Sequence, residues 1–589
     1  MINKIISRKQ GSFQILFEIW KYFTKRRKIQ LSIFVILNLI GSFSESFSIT
    51  MTLPLISVLI DPNQIWGILW LQKLFLIFGI NDSSQLITPV TGIFIIASLT
   101  STLIKLFILR TNNFFAAAIG NDISCLTYST ILNLPYEEQI ELNSSESISA
   151  ATNYSDATRE VIYGFLNLLS YSSFVLTIEI TLFIFNWKVA LTSIFIFGIS
   201  YYLVSYKSKQ IILRNGKIIA RYSKERVKSI QEGLGSIRDV LLGSKQKIFA
   251  DNYSEIDLIY RQKIASNKFI TFSPRYIIES IGFIFIALIA YKLVGKANGT
   301  SYALPILGTF AVAAQKLLPS MQQCYNSIGT IRSNKPSVEK ILRILKKNKI
   351  NFDYKGLKPY NFRKQIKFSK ISFKYPNSNR LILDNVNIEI KKGDRIGIVG
   401  TTGSGKSTFT DLLMGLLKPI SGEIIIDELN LYNEKNSLFI FNWRLSISHV
   451  PQNIFLSDCS FVENIAFGIP LKEIDFSKVK EAAIRAKIDN FINRTQNKYL
   501  TKIGENGLKL SGGERQRIGI ARALYHNAKL IVFDEATSAL DNETESEVMN
   551  SLNQLDKELT IIIIAHRLTT IKNCNKIFKL EGTKIKEIE

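Results

Sequence analysis

Residues 400–408 read GTTGSGKST, and their types and spacing suit one task, the cradling of a polyphosphate. They follow an apolar, strand-like run from Ile396 to Val399 and open onto a helical pattern from Phe409 to Leu417. Backbone N–H groups therefore converge at a helix N-terminus, where the partial positive charge favours an anion. Gly400, Gly403 and Gly405 let the backbone approach phosphate oxygens without a Cβ in the way. Thr401, Thr402, Ser404 and Thr408 complete the loop, Lys406 reaches the β- and γ-phosphates, and the Ser407 hydroxyl is a candidate Mg²⁺ ligand.

Four other stretches carry matching chemistry. Leu530 to Phe533 is a buried-strand pattern that ends in Asp534 and Glu535. The first carboxylate can hold the Mg²⁺ shell and the second can polarise water. Residues 510–517, LSGGERQR, place Ser511, Gly512 and Gly513 at the opening of a helix, a second phosphate-facing N-terminus. One nucleotide rarely needs two, so the second makes sense for a nucleotide held by another copy of the chain. Tyr375, just after the strand-like residues Phe368 and Phe373, offers a ring for adenine, although by itself it reads as part of a strand. His566 follows the strand-like run Thr560 to Ala565; alone, it reads as a surface histidine.

The elements that must position these groups fall into two halves. A chain of 589 residues is too long for one core. Hydrophobic residues make up 47%, with 38 Phe, yet 73 Lys+Arg against 48 Asp+Glu leave a net charge of +25. A basic and apolar chain fits a membrane protein with cationic loops on the cytoplasmic side. No basic groove with a recurring aromatic platform is present, which argues against a nucleic-acid partner. Four scattered cysteines, Cys125, Cys324, Cys459 and Cys574, show no metal spacing and suggest a reduced compartment or buried thiols. The N-terminus shows no cleavable signal, only a basic amphipathic segment from Phe13 to Lys28 that reads as a helix on the inner membrane surface.

Apolar segments at about 31–60, 87–109, 162–185, 189–204, 277–294 and 304–321 predict six membrane helices, most near the roughly 20 residues that span a bilayer. The cationic stretches 110–159 and 205–275 belong in the cytoplasm, as do both termini, and 61–85, 186–188 and 295–302 are then external. Few breakers interrupt residues 87–185, which predicts two helices of about 45 residues, each near 70 Å long, projecting beyond a core of about 30 Å. Short helices are expected at the tips of these projections, near 134–137 and between 244 and 256. The apolar external segment, with Trp66 and Trp70, reads as an interfacial helix, or equally as a re-entrant or core-packed one. Glu45, Lys105, Glu179, Glu279, Lys292 and Lys316 fall inside membrane segments. Lys105 and Lys292 lie near segment ends and can snorkel. Lys316 lies deep and is the tentative substrate residue for an anionic ligand, while Glu45 and Glu279 are candidates to pair with such cations. The boundaries that follow are a transmembrane domain at 1–330, a lysine-rich linker at 331–365 and a soluble α/β P-loop nucleotide-binding domain at 366–589.

LSGGERQR together with GTTGSGKST, VFDEATSALD and IIAHRLTT resembles the ATP-binding cassette transporters over the last 220 or so residues. The resemblance implies ATP and Mg²⁺ as cofactors, Tyr375 stacking on adenine, and Gln452 in HVPQ linking the Mg²⁺ site to the membrane domain. It implies Ser511 and Gly513 capping the γ-phosphate in a partner subunit, Glu535 as catalytic base, Asp541 contacting across the interface and His566 holding the γ-phosphate. TKIGENG is similar to the loop that touches the membrane domain in exporters of this family. Six helices ahead of one cassette match the exporter half-transporter plan, which implies a homodimer. ESFSITMTLPLISVLID, IQEGLGSIRDVLLGSKQKIF and QKLLPSMQQ resemble the branch that flips lipid-linked oligosaccharides, which implies a bacterial plasma membrane, membrane lipids and a lipid-linked glycan as partners, and alternating access. Glu514 stands where Gln is common, and the tail GTKIKEIE lacks the usual glycine. A soluble cassette ATPase is excluded by the apolar half, and a peptide or hydrophobic drug exporter with the same engine is the alternative.

Overall fold

The computed structural model describes the chain except residues 1–13, 295–298, 348–355, 434–437 and 566–570, most of 68–80, 186–193 and 536–557, and positions 377, 573 and 589. It divides into two compact units, residues 1–134 with 141–350, and residues 135–140 with 351–589. Among the described residues the regular structure of the first is helical, and the second carries the β-structure.

In the first unit, three helices among the described residues are long and apolar enough to cross a membrane: 25–60, 87–132 and 144–184. The first is broken at Met51 into Lys25–Thr50 and Thr52–Ile60. Pro54 explains the break, because it lacks an N–H and its ring clashes with the carbonyl four residues back. Ile87–Leu132 runs 46 residues, about 69 Å, as its breaker-poor sequence predicts. Its return partner is a run of Ser144–Ser149, a π-helical turn at Ala150–Tyr154 and Ser155–Phe185. Further helices are Ile199–Gly235, Gln246–Phe272, Pro274–Val294 and the 47-residue Gly299–Leu345.

Three expectations change. The N-terminal amphipathic stretch is not one helix: Gln14–Trp20 ends before Lys21, and a new helix starts at Lys25, capped by the Thr24 hydroxyl, which accepts from the Arg27 N–H at 3.3 Å. Ile15 and Ile19 are buried in a cluster with Ile341 and Leu345, so that face packs on protein. The second short helix lies at Ile237–Leu242, earlier than the interval 244–256, because Gly243 and Ser244, the latter with φ 51°, form the turn after it. The lysine-rich stretch 331–365 is not all linker, since the helix Gly299–Leu345 continues into it. Val338, Ile341, Leu342 and Leu345 recur at helical spacing and are buried. The outer apolar segment is described only in part, as a turn at Asn63–Trp66 with Ile65 buried; Trp70 lies outside the described residues.

The second unit holds two sheets. One is antiparallel, in the order β2-β1-β4-β5, from β1 (Gln365–Phe373), β2 (Leu383–Lys391), β4 (Ser421–Ile426) and β5 (Leu429–Asn430). The other has the order β10-β9-β3-β8-β7-β6 and is parallel through β9 (Lys576–Glu581), β3 (Arg395–Gly400), β8 (Thr560–Ile564), β7 (Leu530–Asp534) and β6 (Ile447–Val450), with β10 (Lys584–Ile588) antiparallel at its edge. β7 and β8 are almost entirely apolar and buried, as strands covered on both faces require. Residues 135–140 belong to this unit: Tyr136 packs against its core, and Glu137 Oε1 accepts the Lys418 N–H at 3.2 Å. The expected short helix near 134–137 is thus present as Tyr136–Glu141.

Within the first unit, close helix approach rests on glycine. A Cβ on Gly216 would lie 2.2 Å from the Ser333 carbonyl oxygen, where only backbone could give way, whereas one on Gly92 would meet nothing within 4 Å. Gly216→Ala is therefore expected to cost about 1–3 kcal/mol, and Gly92→Ala far less. Unfolding midpoints of the detergent-solubilised variants measure this; equal midpoints would show that the two helices separate without cost.

Candidate nucleotide site and intramembrane cavity

Parallel strand order assembles the first site. β3, β8, β7 and β6 are adjacent, so their C-terminal ends carry, side by side, the 400–408 loop, the approach to residue 566, the Asp534–Glu535 pair and the segment containing Gln452. Ligands of open α/β sheets bind at this edge. Gly400 is confined: a Cβ there would lie 2.7 Å from Ser404 Oγ and 2.8 Å from the Leu580 carbonyl. Gly405 takes φ 99° and starts the helix Lys406–Leu413, a conformation that L side chains rarely adopt.

Lys406 is 8% exposed, and its Nζ donates to the carbonyls of Gly400 at 2.7 Å and Thr401 at 3.1 Å. Among the described residues it makes no ion pair. A buried ammonium satisfied only by backbone oxygens is poised for an anion. Ser404 Oγ is buried with no hydrogen-bond partner, and the Ser407 side chain is exposed at the helix start. These groups fit a polyphosphate. Thr401, Thr402 and Gly403 are exposed on the loop. Tyr375 OH lies 3.2 Å from the Thr408 hydroxyl, and its ring meets Phe373 edge-on, which fixes the ring beside the loop helix.

Glu535 has φ 49°, a left-handed conformation for a non-glycine residue, held by its N–H donating to the Ile564 carbonyl at 3.1 Å. Gln452 Nε2 donates to Glu535 Oε2 at 2.8 Å. Burial and the neighbouring Glu535 push the Asp534 carboxyl upward, against the opposing pull of Lys406. Such a carboxylate is short of positive charge and fits a cation. Ser511 caps the helix Gly512–Tyr525 in a reciprocal box: the Glu514 N–H donates to Ser511 Oγ at 3.2 Å, and the Ser511 N–H to Glu514 Oε2 at 2.7 Å. No hydrogen bond among the described residues joins Ser511, Gly512 or Gly513 to the 400–408 loop. His566 and Asp541 lie outside the described residues.

One residue escaped the sequence reading. Asp411, within the loop helix, is pushed up to about 6 by burial and by the Asp534 charge. Its sequence neighbours, Thr410 and Leu412, give no signal, because Asp534 approaches from another strand.

The second site lies in the helical unit. Glu45 is 2% exposed; its Oε2 lies 2.5 Å from Lys105 Nζ and accepts from Ser101 Oγ at 2.7 Å, and its Oε1 lies 3.0 Å from Lys316 Nζ. Three helices thus bring one carboxylate and two ammonium groups together. Glu45 takes the pairing expected of it, and Lys105, read as a snorkelling residue, instead turns inward. Both lysines line a cavity of about 380 Å³ with Asn112, Asn167, Tyr171 and Gln323. Glu279 pairs with Arg275 on its own helix at 3.7 Å. The Lys292 side chain lies outside the described residues.

Residues 383–538 match the family model described as ABC transporter. The ATP-dependent lipid A-core flippase of Francisella novicida is 28% identical over 530 residues, 86% of each chain. The alpha-hemolysin translocation ATP-binding protein HlyB of Escherichia coli O157:H7 is 44% identical over 223 residues, 38% of this chain and 31% of that protein. A solved structure of a bacterial Atm1-family ABC exporter with ATP bound shares the fold, with TM-score 0.74, 22% identity, and coverage of 96% of this chain and 95% of that one.

Asp411 makes a pH prediction. With its folded value near 6 and its ordinary value 3.8, the folded state holds more protons than the unfolded state in this window, so stability falls as pH rises through it. Asp411→Asn removes the penalty. At pH 7.5 its unfolding midpoint should exceed that of the parent protein by a few degrees, with the difference vanishing near pH 4. A midpoint at pH 7.5 equal to or below the parent's would show that the carboxylate is not penalised.

Proposed function

We propose that this ABC transporter, an exporter-fold chain whose cassette hydrolyses ATP to drive transport, moves a lipid-linked oligosaccharide or similar anionic glycolipid from the inner to the outer leaflet of a bacterial plasma membrane. The observation that carries the cargo reading is the cationic cavity at Lys316. An ammonium at bilayer depth is tolerated mainly where water or an anion meets it, and a pyrophosphate linkage is such an anion. The relative from Francisella novicida is named an ATP-dependent lipid A-core flippase, a name that specifies a lipid cargo, and its match spans 86% of this chain. The match to the hemolysin translocator covers 38% of the chain and bears less on cargo. It keeps a peptide or drug exporter as the second reading.

Roles follow from the geometry. Lys406 exchanges its two carbonyl acceptors for β- and γ-phosphate oxygens, and the N–H groups at the start of its helix join it. Tyr375 supports the adenine. Ser407, Gln452 and Asp534 would hold Mg²⁺, which would supply neutralisation of phosphate charge. Glu535 takes the proton of the attacking water, oriented by the Gln452 hydrogen bond and by its strained backbone. His566 completes the γ-phosphate contacts. Ser511, Gly512 and Gly513 serve the nucleotide of a second copy, so the working unit is a homodimer closed by a twofold axis. The helical unit, through the end of Gly299–Leu345, acts as membrane domain and residues 366–589 as cassette, joined by the segment between them, with both termini cytoplasmic.

Two measurements test this reading. Co-purification of differently tagged copies should recover both tags together; recovery of monomers alone, or only of a complex with a different cassette protein, would remove the homodimer. In proteoliposomes, the parent protein should flip a fluorescent polyprenyl-pyrophosphate glycan on addition of ATP and Mg²⁺. Glu535→Gln should retain ATP binding and lose on the order of 10²-fold or more of hydrolysis and flipping together. Hydrolysis at the parent rate in that variant would assign the base elsewhere, and ATP turnover without flipping of any lipid-linked glycan would move the reading to the peptide or drug alternative.

A further inference from the structure

We infer that Glu45 is the resident counterion of a two-lysine anion site, a carboxylate that competes with the cargo's charged head for Lys105 and Lys316 and so permits its release. The inference rests on the cargo reading above and deepens it. Both lysines line the cavity and keep about a third to a half of their side chains exposed, at 36% and 46%, while Glu45 is buried behind them and is not part of the lining. Each ammonium has three N–H donors, so contact with Glu45 leaves donors for the cavity. Two positive charges against one negative leave a single positive charge in excess. The remaining lining is uncharged, polar at Asn112, Asn167, Tyr171 and Gln323 and apolar at Leu109 and Phe174 among others, so no other lining residue balances that charge.

Such a site attracts an anion without holding it permanently. Ser101 Oγ donates to Glu45 Oε2 and holds the carboxylate in place whether or not a ligand is present. When a diphosphate group enters, the lysine donors turn toward it; when the group leaves, they return to Glu45, and the site is never left with two unpaired buried ammonium groups. Lys105 is thereby a second binding residue beside Lys316. The Phe174 ring, 5.5 Å from Lys105 Nζ, borders its path into the cavity.

The charge count gives an ordered prediction. Glu45→Gln leaves two excess charges, the parent protein one, the double variant Glu45→Gln with Lys105→Gln again one, and Lys105→Gln or Lys316→Gln none. Affinity for farnesyl pyrophosphate, titrated onto the full-length protein in phosphatidylcholine nanodiscs, should fall in that order by about tenfold per charge. The double variant should match the parent, and Lys105→Arg should bind near the parent level. Farnesol, the uncharged control, should not discriminate among the variants, and inorganic pyrophosphate should follow the same order more weakly, locating the effect in the head group. Glu45→Gln should also flip a pyrophosphate lipid more slowly despite binding it more tightly. If the parent protein binds farnesyl pyrophosphate no better than farnesol, the cargo reading falls, and this inference with it. If the parent discriminates but Glu45→Gln, folded by its unfolding midpoint, binds as weakly as Lys105→Gln, Glu45 positions the lysines and does not compete with the ligand; the inference alone is then overturned.

Discussion

A positive charge placed where water cannot compensate it is the constraint on which the nucleotide unit depends. Lys406 is buried, and its described acceptors are two backbone carbonyls of its own loop. That arrangement is stable only because the carbonyls point inward, which in turn requires the left-handed turn at Gly405 and the Cβ-free approach at Gly400. Those two glycines are usable only at the end of a strand locked between neighbours. β3 is so locked, by β8 on one side and β9 on the other. The sheet order thus serves the lysine, and the same order sets Asp534 and Glu535 one strand further along. Burial pushes Asp534 and Asp411 toward protonation, aided by Glu535 at the first and by Asp534 at the second and opposed at Asp534 by Lys406, which makes the loop a place of unbalanced charge of both signs. A nucleotide with a bound metal ion would supply the missing charges.

The helical unit meets the same constraint with another device. An ammonium in an apolar layer has few partners, so its counterion must come from protein. Glu45 provides one carboxylate for two lysines from two other helices. This ties 25–50, 87–132 and 299–345 together at one point, while small residues let the helices approach elsewhere. Gly41 faces Ile108, Gly216 faces Ser333 and Gly329 faces Thr271, all closer than a Cβ would allow. Close approach at glycine, to backbone at Gly216 and to side chains at Gly41 and Gly329, therefore shapes the helix arrangement, and the incomplete charge balance leaves chemistry at the centre.

What the sequence made legible follows from how local each signal is. The 400–408 loop, the strand ending at Asp534 and the Ser511 turn are contiguous, so residue type and spacing carried them. Helix lengths were legible where breakers were few, as in Ile87–Leu132. The Asp411 environment and the inward turn of Lys105 were not, because each depends on a residue brought from a distant segment, Asp534 in one case and Glu45 in the other. The stretch 331–345 misled for a different reason. Its lysines dominate the composition, but Val338, Ile341, Leu342 and Leu345 form a helical stripe beneath them, and burial of that stripe decides the structure. The N-terminal segment likewise contains two helices because Thr24 offers a cap in its middle, a stronger local signal than the continuous aromatic spacing around it.

Glu514 shows how a departure from a family pattern can be absorbed locally. A glutamine there could accept the Ser511 N–H through its side-chain oxygen, so the reciprocal cap does not need a charge. A glutamate makes the same bond stronger and interacts favourably with the helix N-terminus, which stabilises the cap. The same negative charge sits beside an N-terminus that would face a phosphate from a second copy, where it opposes the anion that the Gly-Gly backbone favours. Stability of the cap and affinity for phosphate thus pull against each other at one residue. Glu514 points its carboxylate back toward Ser511 through the 2.7 Å bond, which keeps that charge on the chain's own helix start and lessens the opposition.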